Sequence, residues 1–463
     1  MKITFFGAAK TVTGSCYGIH ANATNILVDC GFFQGTKDNE QKNSSPFPFR
    51  PSEIQYVLLT HAHLDHSGLI PKLVKEGFRG KILATHATVD LCGVVLLDSA
   101  HIQERDAEWE NERHMRAGRP LVSPLYTVQE AADSIAYFHG ISYGETRELG
   151  DGFKVRFRDA GHILGSAIVE LWVRDDTMEK KLVFSGDLGQ KNVPLVKNPT
   201  FIEEGDYVFI ESTYGNRRHK GIEETVEEFN RVIAESVKRG GNVIIPAFAV
   251  GRTQEVLYLL NQMARAGKIN QLRVFVDSPM ALQATRITIK HPECLDEETL
   301  ALVKRGGFSR GALELTFTES AEDSKSINKL KSSAIIISAS GMCEAGRIRH
   351  HLKHNLWRPE CSVIFVGFQA AGTLGRRIVE GAKIVSIFGE EIAVKASIYT
   401  IGGLSAHADR DELLDWLGKF KKRPQRVFVM HGEENTAVDF AKTIHDRLRY
   451  DAYVPDMLEH IQL

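Results

Sequence analysis

Thiols are scarce in this chain. Its six cysteines, Cys16, Cys30, Cys92, Cys294, Cys343 and Cys361, are scattered over 463 residues, and no C-x-x-C pair occurs. That excludes a disulfide scaffold and a thiolate zinc knot, and it implies free, mostly buried thiols in a reducing compartment. An excess of one charge is lacking too. Lys and Arg number 57 against 59 Asp and Glu, a net of -2. The molecule is no polycation, so any nucleic-acid binding has to use a local basic face. No apolar run reaches membrane-spanning length. Met1 to Gly7 enters a strand without the apolar stretch and small-residue cleavage site of a secretory leader, so no membrane partner and a cytoplasmic location are expected. Internal repeats and low-complexity linkers are absent. What remains is an ordinary globular composition, 43% hydrophobic and 25% charged. The length exceeds one core, so two or three domains are expected.

The densest chemistry is His61-Ala62-His63-Leu64-Asp65-His66. The apolar run Ile54 to Leu59 reads as a buried strand leading into it, and Leu69 to Val74 reads as a helix start behind it. The cluster therefore lies in a loop at the carboxyl end of a strand, where open α/β folds place ligands. Imidazole nitrogen and carboxylate oxygen suit zinc, and the absence of thiols argues against a closed structural site. Six consecutive residues cannot all wrap one tetrahedral ion, so two neighbouring metals are predicted. His61 and His63 turn to one, Asp65 and His66 to the other.

Further residues of the same types recur at strand ends. Asp29 ends Asn25–Val28 before a glycine turn, and it reads equally as a turn residue or as a partner that orients a ligating histidine. His162 follows a strand predicted over Gly152–Asp159 and supplies an extra imidazole for the first metal. Asp187 follows Leu182–Phe184 in a glycine-rich turn and is the candidate for a bridging carboxylate. Near the chain end, Ile398–Ile401 leads to His407, and Arg426–Met430 delivers His431. Helices are predicted over Val89–Ala117 and Thr127–Phe138. Between about residues 211 and 394, short apolar strands alternate with helices at Asn242–Pro246, Leu272–Val276, Ala334–Ser338 and Ser362–Val366. That rhythm predicts a parallel α/β sheet without metal-ligand density of its own.

These residues resemble the metallo-β-lactamase superfamily, and more closely its β-CASP branch of nucleases. That branch includes the cleavage-and-polyadenylation endonuclease, the ribonuclease J type and shorter bacterial and archaeal relatives. Asp29, His61 to His66, His162 and Asp187 carry the lactamase-like pattern. Glu211, His407 and His431 carry the β-CASP pattern, with Gly251-Arg252-Thr253-Gln254-Glu255 and Asp277-Ser278-Pro279-Met280-Ala281 between them. The resemblance implies an α/β fold: an αββα metallo-β-lactamase sandwich formed by residues 1–210 and 395–463, with a parallel α/β β-CASP domain inserted as residues 211–394. It implies two zinc ions per chain, one on His61, His63 and His162, the other on Asp65, His66 and His431, with Asp187 bridging and Asp29 in support. Asp65, Asp187, Glu211 and His407 form the implied catalytic set, Glu211 holding His407 as the general acid.

The implied reaction is hydrolysis of RNA phosphodiester bonds, endonucleolytic first and 5′-exonucleolytic second. Two zinc ions supply hydroxide near neutral pH and neutralise phosphate charge, and His407 protonates the leaving 3′-oxygen. Single-stranded RNA is the implied partner, and a homodimer is compatible with the sequence. Candidate substrate contacts are Arg252, Ser340, Gly341, Ser405 and Arg376. Basic clusters at Arg217 to Lys220, Arg347 to His354 and Arg376-Arg377 are expected to hold the RNA backbone. Two rivals remain: a glyoxalase-type thioester or ester hydrolase, which leaves the inserted domain and His407 unexplained, and a non-catalytic RNA-processing scaffold.

Overall fold

Strand Tyr207–Glu211 is buried along its whole length. That explains its unbroken apolar run, since both faces of the sheet are covered. Tyr207 and Phe209 enter one core, and Val208 and Ile210 enter another. The computed structural model describes residues 1–175, 178–269, 272–308, 313–330, 334–370 and 372–463. The described chain divides into two units, Met1–Lys191 with Asn198–Arg218 and His407–Leu463, and Asn192–Lys197 with His219–Ala406.

The first unit contains two seven-stranded sheets. One runs His460–Gln462, Lys2–Phe5, Tyr17–Ala21, Thr24–Val28, Tyr56–Leu58, Lys81–Thr85, Phe138–Ile141. The other runs Ala452–Tyr453, Arg426–Met430, Tyr207–Glu211, Met178–Phe184, Ala167–Asp175, Phe153–Asp159, Thr146–Gly150. Their inner faces share one core, to which Ile3, Phe5, Ile26 and Val28 contribute from one side and Phe157, Val169, Phe184 and Phe209 from the other. Outside, helices Arg410–Leu417 and Glu434–Leu448 pack Leu413, Trp416, Phe440 and Ile444 onto Val183, Val208, Ile210 and Val429. Helix His86–Ala117 lies against Lys81–Thr85 and Phe138–Ile141 of the first sheet. This is the αββα sandwich.

One feature of the second sheet sets the level of the site. Phe184, Phe209 and Phe428 are register partners on three neighbouring parallel strands. Their rings stack at centroid spacings of 4.2 and 4.7 Å, with interplanar angles of 9° and 6°. A one-residue slip of any strand would turn its phenylalanine to the opposite face, so the ladder pins the register. Asp187, Glu211 and His431 follow these phenylalanines by two or three residues and so emerge at one edge.

The second unit contains a six-stranded parallel sheet, ordered Glu314–Phe317, Arg273–Asp277, Ala334–Ser338, Val243–Pro246, Ser362–Phe365, Ser397–Thr400. Ile335, Ile337, Val274 and Val256 enter a core on one face, and Ile244, Ile336, Val363 and Leu352 one on the other.

Three sequence expectations shift. Helix Val128–Ile135 is shorter than Thr127–Phe138, because Phe138 begins a strand that pairs with Lys81–Thr85. Thr146–Gly150 is a strand that the sequence reading left unassigned; its half-buried edge position makes the alternation weak. The boundaries also move. Glu211 to Arg218 stay with the first unit, and Ser397–Thr400 pairs with Ser362–Phe365 in the second unit's sheet, so the chain returns at His407 rather than near residue 395.

Candidate metal centre and acid

The local backbone divides the histidine cluster in two. His61 and His63 lie in the short loop after strand Tyr56–Leu58, and their ring nitrogens come together on one side of it. A helical turn, Leu64–Ser67, starts directly after His63 and swings Asp65 and His66 another way. Gly31 permits this turn to approach, since a Cβ there would meet the Asp65 carbonyl at 1.7 Å. Tertiary contacts then complete each set. His63 Nδ1 lies 3.1 Å from His61 Nε2 and 3.2 Å from His162 Nε2. His66 Nε2 lies 3.2 Å from His431 Nε2, which is 3.5 Å from Asp65 Oδ2. Asp187 stands between the sets. Its Oδ2 is 3.5 Å from His61 Nε2 and 3.6 Å from His162 Nε2, and its Oδ1 is 3.4 Å from His66 Nε2.

Hydrogen bonds outside the cluster decide which ring nitrogens carry protons. Asp29 is buried and accepts from His66 Nδ1–H at 2.7 Å, from the Thr60 amide at 2.7 Å and from the Thr60 hydroxyl at 2.9 Å. The hydroxyl's proton is thereby used, so Thr60 Oγ1 accepts from His61 Nδ1–H at 3.1 Å. Thr213 Oγ1 gives its proton to the His431 carbonyl at 3.3 Å and accepts from His431 Nδ1–H at 3.2 Å. Thus His61, His66 and His431 each present an Nε2 lone pair inward. Asp29 and His431 hold left-handed backbone, φ 62° and 47°, which L-residues adopt at a cost of roughly 1–2 kcal/mol. Bonds from the Asp29 amide to Leu58 and from the His431 amide to Ala8 keep them there.

The donor set fits divalent cations. The lone pairs of His66 Nε2 and His431 Nε2 face each other at 3.2 Å and repel unless a cation lies between them, and the His63 contacts to His61 and His162 have the same spacing. Nitrogens placed tetrahedrally about 2.0–2.1 Å from a zinc ion are ~3.3 Å apart, close to these spacings. Among the described residues Asp187 Oδ1 is buried and makes no hydrogen bond of good geometry, His66 Nε2 standing 3.4 Å away, an expensive state for a carboxylate oxygen without a cation. Burial pushes His61 well below, and His63 below, the usual imidazole range, which keeps both neutral and ready to ligate. At His66 burial acts the same way, but Asp187 and Asp29 outweigh it and raise the imidazole well above its usual range. A positive charge at its Nε2, proton or metal, is what those carboxylates favour.

Beside the metal sets lies the pair Glu211–His407. Glu211 Oε1 accepts from the Leu188 amide at 2.6 Å, and its Oε2 accepts from His407 Nδ1–H at 3.1 Å. A capping box, Asp409 with Glu412, starts helix Arg410–Leu417 two residues on, and the Ala408 amide bonds the Leu188 carbonyl at 2.7 Å. His407 Nδ1 is 3.9 Å from Asp187 Oδ2. Burial opposes charge on His407, but Glu211 and Asp187 overcome it and push the imidazole up to about 9.

The substrate candidates fare differently. Arg252 is partly buried and ion-paired to Glu255, which offsets the charge expected to meet phosphate. Arg347 and His351 bind buried Asp277 at 2.8 and 2.6 Å, which makes that part of the basic run a structural knot. Arg376 is partly exposed and paired to Glu380 at 2.6 Å. Ser340 and Gly341 follow strand Ala334–Ser338, with the Gly341 carbonyl accepting from Gln369 Nε2 at 3.0 Å, and Ser405 is half-buried just before His407. Among the described residues, the groups that could hold a metal all lie in the first unit.

Comparison with known proteins is consistent with this geometry. Family models match as Metallo-beta-lactamase superfamily over residues 9–207, Beta-Casp domain over residues 253–378, and Zn-dependent metallo-hydrolase RNA specificity domain over residues 391–455. Ribonuclease TTHA0252 of Thermus thermophilus is 37% identical over 444 residues, 96% of each chain. This chain belongs to the β-CASP branch of the metallo-β-lactamase superfamily. Transcription termination factor FttA of Methanosarcina mazei is 30% identical, and that of Pyrococcus abyssi 32%; each covers all of this chain, which spans 72% and 71% of theirs. A solved protein of unknown function from Enterococcus faecalis shares the fold over its whole length, at TM-score 0.59 and 12% identity. The β-CASP assignment makes the chain a metal-binding hydrolase of the nuclease class.

Thr60 and Thr213 escaped the sequence reading. A threonine at a strand end carries no signal by itself; for Thr60 the one clue is its place directly before the cluster. Thr60→Val keeps the volume and removes the hydroxyl that joins Asp29 to His61. Its zinc affinity, measured by competition with a chromogenic chelator, is expected to fall about 10–100-fold, with Thr60→Ser near wild type. Unchanged affinity in the valine variant would remove Thr60 from the metal's support.

Proposed function

We propose that this chain is a zinc-dependent ribonuclease acting on single-stranded RNA in the cytoplasm, endonucleolytic first and 5′-exonucleolytic second. The observation that carries the reading is an acid, His407, held by Glu211 and adjoining the carboxylate that stands between two metal-ligand sets. Zinc, when bound there, acidifies a water and neutralises phosphate charge. His61, His63 and His162 would hold one ion, and Asp65, His66 and His431 the other, with Asp187 shared. Asp65 and Asp187 offset half the charge of two dications, so the loaded centre stays positive and attracts an anionic diester. Glu211 orients His407 Nδ1, which leaves Nε2–H to protonate the departing 3′-oxygen. The products are a 3′-hydroxyl and a 5′-phosphate.

End-labelled RNA tests this. With about two zinc equivalents bound, fragments from 5′- and 3′-labelled RNA should sum to the full length at each internal cut. Chelation should stop cleavage and added zinc restore it. Mononucleotides alone from the 5′ label would make the enzyme an exonuclease. Turnover of a thioester without RNA cleavage would favour the glyoxalase-type rival, and a protein without bound metal or turnover would favour a scaffold.

A further inference from the structure

The basic cluster Arg217-Arg218-His219-Lys220 does not act as a uniform patch. Arg218 Nη2 lies 2.5 Å from Asp411 Oδ2, and Lys220 Nζ lies 3.1 and 3.0 Å from Glu224 and Glu228. Those charges are largely cancelled. Arg217 differs: among the described residues it makes no ion pair, and its guanidinium lies 4.4 Å above the ring of Tyr214. Stacking on a ring restrains a guanidinium without neutralising it. The Tyr214 ring in turn meets the His407 ring edge-on, with centroids 6.0 Å apart at 68°.

The backbone that carries this stack is well held. The Gly215 amide bonds the Ser212 carbonyl at 3.1 Å, and the Arg217 amide bonds the Tyr214 carbonyl at 3.2 Å. Asn216 Nδ2 reaches Thr436 Oγ1 at 3.1 Å, and the Arg410 amide bonds the Arg217 carbonyl at 3.1 Å. Gly215 lies against Phe440 so closely that a Cβ there would stand 2.7 Å from its side chain. One short loop thus begins with Glu211, which holds the acid, and ends with an exposed, unneutralised cation stacked beside that acid.

Resting on the ribonuclease reading, we propose that Arg217, laid on Tyr214, binds the phosphate immediately 5′ of the scissile one. The side follows from His407. The acid serves the leaving 3′-oxygen, and the next charge on that side of the strand is the leaving nucleotide's own 5′-phosphate. A guanidinium offers paired donors that match two phosphate oxygens. The ligand class is an oligoribonucleotide with at least two consecutive phosphodiesters.

The test is a cycle between protein and substrate. Wild type, R217A and R217K, each checked for metal content, are assayed on an oligoribonucleotide with one cleavable linkage and on the same strand with a neutral methylphosphonate one position 5′ of it. In wild type the neutral linkage should lower kcat/KM about 10–100-fold, the loss of one charge-assisted contact. R217A should show a similar loss on the normal strand and little further loss on the neutral one, while R217K recovers part. The dependence of log kcat/KM on log salt should flatten by about 0.7 in R217A, one phosphate contact on a single strand. Additive losses from R217A and the methylphosphonate, or a wild type indifferent to the neutral linkage, would overturn the assignment. A wild type that hydrolyses bis(p-nitrophenyl) phosphate but no RNA would overturn the ribonuclease reading itself.

Discussion

Asp187→Ala should bring RNA hydrolysis close to background and lower the bound metal from about two equivalents toward one or fewer. The two oxygens of this carboxylate face different ligand sets, Oδ2 toward His61 and His162 and Oδ1 toward His66. Burial resists its ionisation, but His431, His66 and His407 hold it well below the usual carboxylate range. Alanine removes the shared anion and leaves the five imidazoles, four of them buried, and the cations they would hold with one carboxylate fewer. A loss of several kcal/mol in transition-state stabilisation corresponds to about 10⁴-fold in kcat or more. Asp187→Asn keeps the shape and removes the charge, so it should lose metal nearly as severely. Metal analysis of the purified variants beside single-turnover rates checks both. Two full equivalents of metal with wild-type rates in Asp187→Ala would remove Asp187 from the centre.

His407→Ala should separate chemistry from metal binding. Its zinc content is expected to match wild type, while kcat falls about 10²–10⁴-fold, the usual contribution of a positioned general acid. The pH profile supplies the sign. As a general acid His407 would act in its protonated form, and the protein's own groups raise the imidazole's pKa to about 9. Its donating capacity is therefore complete at low pH and is lost as pH rises through that value. Cations at Asp187 would offset part of the field that raises it and would bring the falling limb down toward neutrality. Glu211→Gln, which removes the charge behind Nδ1, should move the limb further down, and His407→Ala should abolish it. A limb unmoved by Glu211→Gln would assign the acid elsewhere.

Much of the site is legible in the chain because its densest part is local. His61, His63, Asp65 and His66 lie on one strand-to-helix turn, and an extended stretch followed by a helical one suffices to split them. Asp187 and His431 follow apolar strands, Glu211 ends one, and His162 follows an alternating strand, so each is announced by a strand end. The second unit's parallel sheet is legible for a similar reason: its inner strands Val243–Pro246, Ala334–Ser338 and Ser362–Phe365 are buried along their whole length and short enough to stand out between helices, whereas the exposed edge strand Glu314–Phe317 gives no such signal. Less legible are the partners of individual polar atoms. Arg252 reads as a substrate contact, and the fold pairs it with Glu255. The run 217–220 reads as four equivalent basic residues, and the fold cancels Arg218 and Lys220.

The sequence by itself determined the family, the two-unit plan and the candidate histidines and carboxylates that the structure gathers into groups able to hold a metal. Each depends on residue type and short-range spacing, which survive in one dimension. Only the tertiary structure decided how those side chains face one another. His66 and His431 are 365 positions apart and come within 3.2 Å because one follows a strand of the first sheet and the other a strand of the second, and the core between the sheets holds them together. The relay from Asp29 through Thr60 to His61, the two-sided exposure of Asp187 and the uncancelled charge of Arg217 likewise arise from distant segments packed into contact, where geometry rather than composition sets proton positions and charge.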